Sequence, residues 1–368
     1  MKTDTLDCKI HKTALHESHQ TLNAKMVPFG GFEMPVSYSK GIQSEYFAVR
    51  NDVGVFDVSH MGEFIIKGSG ALQFLQKLTI NNVSKLEVGQ AQYSAMCFAD
   101  GGIIDDLILY RKSDSYLMVV NAANIQKDYN WLSSHVSNNV YLENISDDIS
   151  LIALQGPNAR EHLSSFTDVN LDMPFYTFEE GTLMEYPVMI SRTGYTGELG
   201  FEIYGTSDVI IYTWNQLIKS GVPPAGLAAR DMLRMEMAYC LYGNDIDETT
   251  HPLEAGLNWI TAMDKGKFLG YDKIQEAKSS GLNRRLVAFS MDERGIPRSG
   301  YEIFHNDDKI GIVTSGTQSP ALNKGIGLAY VDLPFNQSGQ KISVQIRNKR
   351  LNAVIIKPPF INNTSLHH

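Results

Sequence analysis

The chain has 368 residues, 43% hydrophobic and 20% charged, the composition of a globular protein of two or three domains. A formal net charge of -9 with dispersed Lys and Arg excludes the basic footprint of a nucleic-acid or anionic-membrane binder. Met1 to Asp7 hold no apolar core of signal-peptide length, and no stretch approaches the ~20 apolar residues of a spanning helix, so a cytoplasmic location is expected. Cys8, Cys97 and Cys240 lie far apart without a CxxC pair, which argues against disulfides and a structural zinc site.

In chain order, period-3.6 patterns predict helices over Gly41 to Asn51, Gly70 to Leu78, Asn124 to Val136, Asp208 to Lys219 and Gly226 to Tyr239. Alternating or apolar runs predict strands over Glu63 to Lys67, Gln92 to Phe98, Ile103 to Tyr110, Tyr116 to Val120, Ser150 to Gln155, Val188 to Arg192 and Phe201 to Tyr204. The mixture reads as α+β with antiparallel sheets. Polar residues 276–285 read as a linker, and beyond them lie strand and turn signals alone, from Arg285 to Lys357, the pattern of a compact all-β domain.

Candidate chemistry begins at Gly101-Gly102-Ile103-Ile104-Asp105-Asp106-Leu107-Ile108-Leu109-Tyr110. Side chains alternate along a strand, so Asp106 shares a face with Ile104, Ile108 and Tyr110, and Asp105 with Ile103, Leu107 and Leu109. Both faces are apolar, and a buried carboxylate needs either a structural partner, such as the amides of the Gly101-Gly102 turn, or a catalytic use. In Arg192-Thr193-Gly194-Tyr195-Thr196-Gly197-Glu198-Leu199-Gly200-Phe201-Glu202, the strand places Glu202 and Tyr204 on one face, with Gly200 at a close approach of strands or ligand. A carboxylate there can take two parallel hydrogen bonds from the amino and ring N–H edge of an aminopyrimidinone, or else face solvent or an arginine. Arg230 and Arg234 stand one turn apart near a helix start, with Asp231 and Glu236 available, so they serve either a ligand carboxylate or an ion-pair ladder. His60 reads as a satisfied core or capping residue, and Asn244 to Pro252 as a hydrogen-bonded loop without the ligand spacing of an EF-hand. No GxGxxG, GxxxxGK[ST], HExxH or GxSxG occurs, so no nucleotide, zinc or serine-nucleophile motif is present, and no metal is expected.

In order and spacing, MVPFGGFEMPVSY, VGVFDVSHMGEF, GGIIDDLILY, VVNAAN, ALQGPNA, SRTGYTGELGFE, AGLAARDMLRMEMAYCLYGNDIDE and TSGTQSPALNKGIGLAYV resemble the T-protein family of the glycine cleavage system, the tetrahydrofolate-dependent aminomethyltransferases. The resemblance covers nearly the whole chain. It implies a three-domain cloverleaf of two α+β domains and a C-terminal β-barrel around a folate channel, with boundaries at 10–275 for the folate region (a second subdomain inserted at roughly 55–140), a linker over 276–285 and the barrel over 286–362. It implies transfer of a one-carbon unit from aminomethyl-dihydrolipoyl H-protein to tetrahydrofolate, with ammonia and 5,10-methylenetetrahydrofolate as products. By position, Asp106 matches the catalytic aspartate, Glu202 the pterin-gripping glutamate and Arg230 the arginine near the folate. Met61, Tyr93, Tyr110, Asn121, Tyr195 and Tyr239 match channel-lining positions, and Lys25 matches a basic position used toward H-protein. Pro28 and Phe32 depart from common family residues, and Pro358 to His368 offer no Arg or Tyr for the folate glutamate tail. Folate-dependent demethylases share the implied fold, as do non-catalytic folate-binding factors, whose Lys-Gly-Cys signature is absent at Ala228-Ala229-Arg230.

Overall fold

The computed structural model describes residues 10–368. Cys8 and the Met1 to Asp7 segment lie outside them.

Two five-stranded antiparallel sheets and a closed barrel organise the chain. The first sheet runs Phe178–Leu183, Tyr186–Ser191, Gly200–Gly205, Ser150–Gln155 and Gly54–Asp57. The second runs Ala91–Cys97, Ile103–Arg111, Ser115–Val120, Gly62–Lys67 and Tyr141–Asn144, so its strands all fall between two strands of the first. Each sheet buries one face under helices. Trp214 and Leu217 of helix Ser207–Lys219 cover Ile152, Phe201 and Ile203, while Phe74 and Leu75 of helix Ala71–Leu78 cover Phe64, Leu107 and Leu109. The remaining faces meet each other through Phe56, Ala153, Met189 and Tyr204 on one side and Tyr110, Leu117 and Val119 on the other. This central layer explains why so many strands are apolar on both faces.

The barrel closes Arg284–Met291, Lys324–Asp332, Asp308–Ser319, Glu302–His305, Lys341–Ile346 and Lys349–Ile356 in that order. Closure leaves it no free edge. It joins the rest through helix Leu227–Glu236: Ser319 donates to Glu236 at 2.5 Å, and Glu236 also accepts from Arg50 at 2.8 Å and from Tyr46 at 2.7 Å.

Three expectations need correction. The stretch read as a linker starts inside helix Tyr271–Ser280, whose single buried side chain, Ile274, leaves it too polar to register as helical, so 281–283 alone connect it to the barrel. The helix expected to reach Tyr239 ends at Glu236, because Ala238 adopts a left-handed conformation with φ 58°. Third, strand Ile103–Arg111 carries an irregularity opposite Met96 and Cys97 that places Ile104 on the helix-covered side with Leu107 and Leu109. Alternation over Asp105 to Tyr110 is unaffected. The hairpin of Lys25–Phe29 and Phe32–Ser37 gave no sequence signal strong enough to be expected, since Pro28, Pro35 and Gly30-Gly31 interrupt its alternation.

Candidate active site

A cavity of about 960 Å³ lies where the two sheets, the end of helix Leu227–Glu236 and the barrel converge. Asp106 reaches it from the central face of its strand. Its Oδ2 accepts from the Tyr93 hydroxyl at 2.8 Å and its Oδ1 from the Asn121 side-chain amide at 2.8 Å. Burial first, and the neighbouring Asp105 charge second, raise its pKa to about 7, against the lowering effect of those two hydrogen bonds. A carboxylate with that proton affinity can accept a proton at neutral pH.

Asp105, on the opposite face, is fully buried. It does not hold the Gly101-Gly102 turn. Asp100 does that, accepting from the Gly102 amide at 3.1 Å. Asp105 instead accepts from the Asn121 backbone at 3.0 Å, the Asn121 side chain at 2.8 Å and Asn124 at 2.7 Å. Both aspartates are thus tied to one loop, and Asn121 spans the pair.

Glu202 lies on the central face of strand Gly200–Gly205 and lines the cavity. Thr193 donates to its Oε2 at 2.5 Å, while Oε1 has no protein partner among the described residues. Burial raises its pKa, with the Thr193 hydrogen bond, the Arg230 charge and the Tyr110 hydroxyl opposing. Tyr110, expected to line the channel, does not: it is fully buried behind this group, with its hydroxyl 3.3 Å from Thr193 and 3.0 Å from Tyr204. Gly200 marks a close approach between strands, not to ligand, since a Cβ there would stand 2.2 Å from the Gln155 side chain. Chain-distant contacts pin the loop before this strand. Ser365 donates to Glu198 through its backbone at 2.8 Å, and Arg50 donates to Glu198 at 2.7 Å.

The two arginines of helix Leu227–Glu236 part company. Arg234 is buried and bound to Asp231 at 2.8 Å, Asp245 at 2.8 Å and the barrel's Ser315 at 2.9 Å, which makes it a structural hub. Arg230 has no ion-pair partner among the described residues; its guanidinium lies 4.8 Å from the centre of the Tyr195 ring, and its buried Nη1 has no hydrogen-bond partner. A cation so placed favours an anionic or carbonyl acceptor on a ligand. Tyr195 and Tyr239 stack at 5.6 Å, and Met61, Tyr93 and Asn121 complete the expected lining.

Other lining residues were not anticipated. His60 is not the satisfied core histidine expected: it borders the cavity 5.6 Å from the Phe29 ring, its Nδ1 has no partner, and burial lowers its pKa to about 4, so it is neutral. Trp259 stacks on Tyr93 at 5.8 Å and remains 68% exposed. On the barrel side Arg285 and Lys357 line the cavity, both exposed and without ion-pair partners among the described residues. Arg285 lies within strand Arg284–Met291 and Lys357 directly after strand Lys349–Ile356, and no motif announced either. The loop after the helix is hydrogen-bonded as expected, with Asp245 accepting from Arg234 at 2.8 Å and Leu241 at 3.0 Å. Among the described residues no cluster of acidic, His or Cys side chains could hold a metal ion.

Residues 15–265 match the family model of the GCVT N-terminal domain, and residues 284–362 that of the glycine cleavage T-protein C-terminal barrel domain. An aminomethyltransferase of Halothermothrix orenii is 50% identical over 95% of this chain and 99% of its own length. One of Flavobacterium psychrophilum is 50% identical over 95% and 98%. The crystal structure of glycine cleavage system aminomethyltransferase T from Bartonella henselae superposes with a TM-score of 0.92 at 31% identity, over 96% of this chain and 99% of that one. The family models and the relatives together define the class, the tetrahydrofolate-dependent one-carbon transferases. Within that class, the chain belongs to the glycine cleavage T-protein family and is an aminomethyltransferase.

Proposed function

We propose that Asp106 is the group that orients and deprotonates the acceptor nitrogen of tetrahydrofolate, and that the donor is the aminomethyl group carried on the lipoyl sulfur of H-protein. The observation that carries this is the placement of Asp106: a carboxylate at the cavity wall, fixed by Tyr93 and Asn121, with a proton affinity raised to about 7. The nitrogens of tetrahydrofolate are weak bases, so a fixed acceptor beside one directs its lone pair toward the incoming carbon and takes its proton as the bond forms. The carbon exchanges its C–S and C–N bonds for bonds to the two folate nitrogens, and the two protons those nitrogens lose end on the departing ammonia and on the lipoyl sulfur, giving dihydrolipoyl H-protein, ammonia and 5,10-methylenetetrahydrofolate.

Glu202 is assigned to the pterin edge, because its free Oε1 beside a fixed Oε2 suits two adjacent donors. Arg230, Met61, Tyr93, Asn121, Tyr195 and Tyr239 are assigned to the same ligand, with Tyr110 acting indirectly through Thr193. Arg285 and Lys357, exposed on the barrel side of the cavity, are assigned to the folate glutamate tail by their charge. Lys25, exposed at the start of hairpin strand Lys25–Phe29, is assigned to H-protein contact, since Phe29 of the same strand borders the cavity. Functionally, residues 10–275 form the folate region and 286–362 its barrel cover. No helix among the described residues is long and apolar enough to cross a membrane, and a cytoplasmic location accords with that.

Ammonia release from glycine in a cleavage system reconstituted with this chain tests the reading. Release dependent on both tetrahydrofolate and lipoylated H-protein is expected. Folate binding without release would favour a non-catalytic factor, and turnover of methylated glycines would favour a demethylase.

A further inference from the structure

Behind Asp106 the structure contains a second, hidden carboxyl. Asp128, on helix Ile125–Ser133, is fully buried, and neither of its oxygens receives an N–H or O–H from any described residue. It lies against Asp105. Asp105, Asn121 and Asp106 continue the line, because the Asn121 side chain donates to Asp105 Oδ1 at 2.8 Å and to Asp106 Oδ1 at 2.8 Å. Three carboxyls are therefore joined in sequence.

No cation among the described residues ion-pairs with them, although the Lys127 charge partly opposes the rise at Asp128. Lys127, the nearest, directs its amine to the Ile104 carbonyl at 2.7 Å, the Tyr242 hydroxyl at 2.9 Å and Glu248 at 3.3 Å. Tyr242 gives its own proton to the Ile103 carbonyl at 3.0 Å. The remaining groups facing the cluster are the Asn124 amide on Asp105 and the Tyr93 hydroxyl on Asp106, while Tyr242 feels the charges of Asp105 and Asp128 together with those of Glu248 and Asp247. Three buried negative charges without a counter-ion are not sustainable, so at least one proton resides in the chain. Its place follows from the donors: Asp105 receives three N–H bonds, Asp106 receives one N–H and one O–H, and Asp128 receives none. Two carboxyls can share a hydrogen bond when one of them holds the proton.

We propose that Asp128 is a positioning residue for the transfer reaction: held neutral, it donates to Asp105, keeps Asp105 ionised, and through that fixed charge sets the basicity of Asp106. The inference rests on the assignment of Asp106 as the proton acceptor. Burial and the Asp105 charge raise Asp128 to about 10, in accord with a neutral form at working pH. A role confined to packing would not couple this helix residue to the ionisation of the cavity carboxylate. Nothing local in the Asn124 to Ser133 sequence distinguishes Asp128 from an exposed helix aspartate.

The test is the pH dependence of kcat/KM for tetrahydrofolate, which reports free-enzyme ionisations. The acid limb of the parent enzyme rises as Asp106 loses its proton. Asp128→Leu removes the donor, lets Asp105 take up the proton, and should move that limb down by about one pH unit. Asp128→Asn keeps a neutral donor and should leave the limb where it is. Asp105→Asn should lower the limb as Asp128→Leu does, and adding Asp128→Leu to it should cause no further movement. An unmoved limb in Asp128→Leu overturns the proposal, as does an equal shift in Asp128→Asn or an additive double variant. Should Asp128→Leu fail to fold, infrared spectroscopy decides: the protonated-carboxyl band of the parent at about pH 8, to which buried Glu63 also contributes, should lose intensity in Asp128→Asn, and persistence of the full band overturns the assignment. Asp106→Asn separates the two levels of the argument. If it stays active, the Asp106 reading fails; if it is inactive while Asp128→Leu keeps the parent profile, the present inference alone fails.

Discussion

Replacing Asp106 by Asn should make the protein both less active and more stable, and the second effect has a sign and a pH window. The ordinary carboxyl value of 3.8 applies to the unfolded chain, and the folded state raises it to about 7. Between those values the native state holds a proton that the unfolded state has released, so stability falls as pH rises from about 4 to about 7 and stays reduced above. A shift of this size corresponds to an upper limit of about 4 kcal/mol at pH 8, and relaxation of the cavity wall brings the expected gain in Asp106→Asn to about 2–4 kcal/mol. The amide retains the size of the side chain and an acceptor for Asn121, and lacks the charge that burial disfavours. Below about pH 3 the parent aspartate is largely neutral in both states, so the gain should vanish there. Turnover should fall by roughly 10² to 10⁴ because the base is gone.

Melting temperature measured across that pH range, beside initial rates of ammonia release, checks both halves. A substitution that raises Tm at pH 8, leaves it unchanged at about pH 3 and abolishes turnover identifies a group kept for chemistry at the expense of stability. If Asp106→Asn proves no more stable at pH 8, or its effect on Tm is independent of pH, the argued desolvation and Asp105 repulsion are wrong. Retention of activity within tenfold would remove Asp106 from the reaction.

Glu202→Gln should weaken tetrahydrofolate binding by about 1–3 kcal/mol, since one acceptor oxygen and the charge are lost against paired donors; unchanged affinity in calorimetric titration would take Glu202 off the pterin edge. Replacing Arg285 and Lys357 together by Ala should reduce folate affinity about tenfold at low salt and less at high salt, and an affinity indifferent to both would mean that the barrel mouth does not meet the tail. Lys25→Glu should raise the apparent KM for H-protein at low salt by slowing association, with KM for tetrahydrofolate as the control that must not move.

What the sequence made legible was local. Alternation over Asp105 to Tyr110 was enough to assign the two aspartates to opposite faces, and the spacing of Leu199, Phe201 and Ile203 was enough to send Glu202 the other way. Contacts between distant segments were not legible, because pattern records how exposed a residue is and not which neighbour covers it. Tyr110 shows the difference. It shares the face of Asp106 as alternation requires, yet Thr193 and Tyr204, 83 and 94 residues further on, separate it from the cavity. His60, Arg285 and Lys357 became cavity residues in the same non-local way.

The aspartate pair carries that distinction into the chemistry. Its apolar surroundings announced that at least one carboxylate needed a reason, and the nearest structural reason, the Gly101-Gly102 turn, proved to be satisfied by Asp100. With that partner removed, Asp105 has to be understood through the segment that follows the next strand, where Asn121, Asn124 and Asp128 lie within one loop and the first turn of one helix. The loop that binds Asp105 is the loop that positions Asp106, the aspartate proposed to take the proton, since the single Asn121 amide contacts both. It follows that neither aspartate can be altered as an isolated group. Loss of charge at Asp105 changes the proton affinity of Asp106, and loss of the Asn121 amide should free Asp106 to rotate while leaving Asp105 short of a donor.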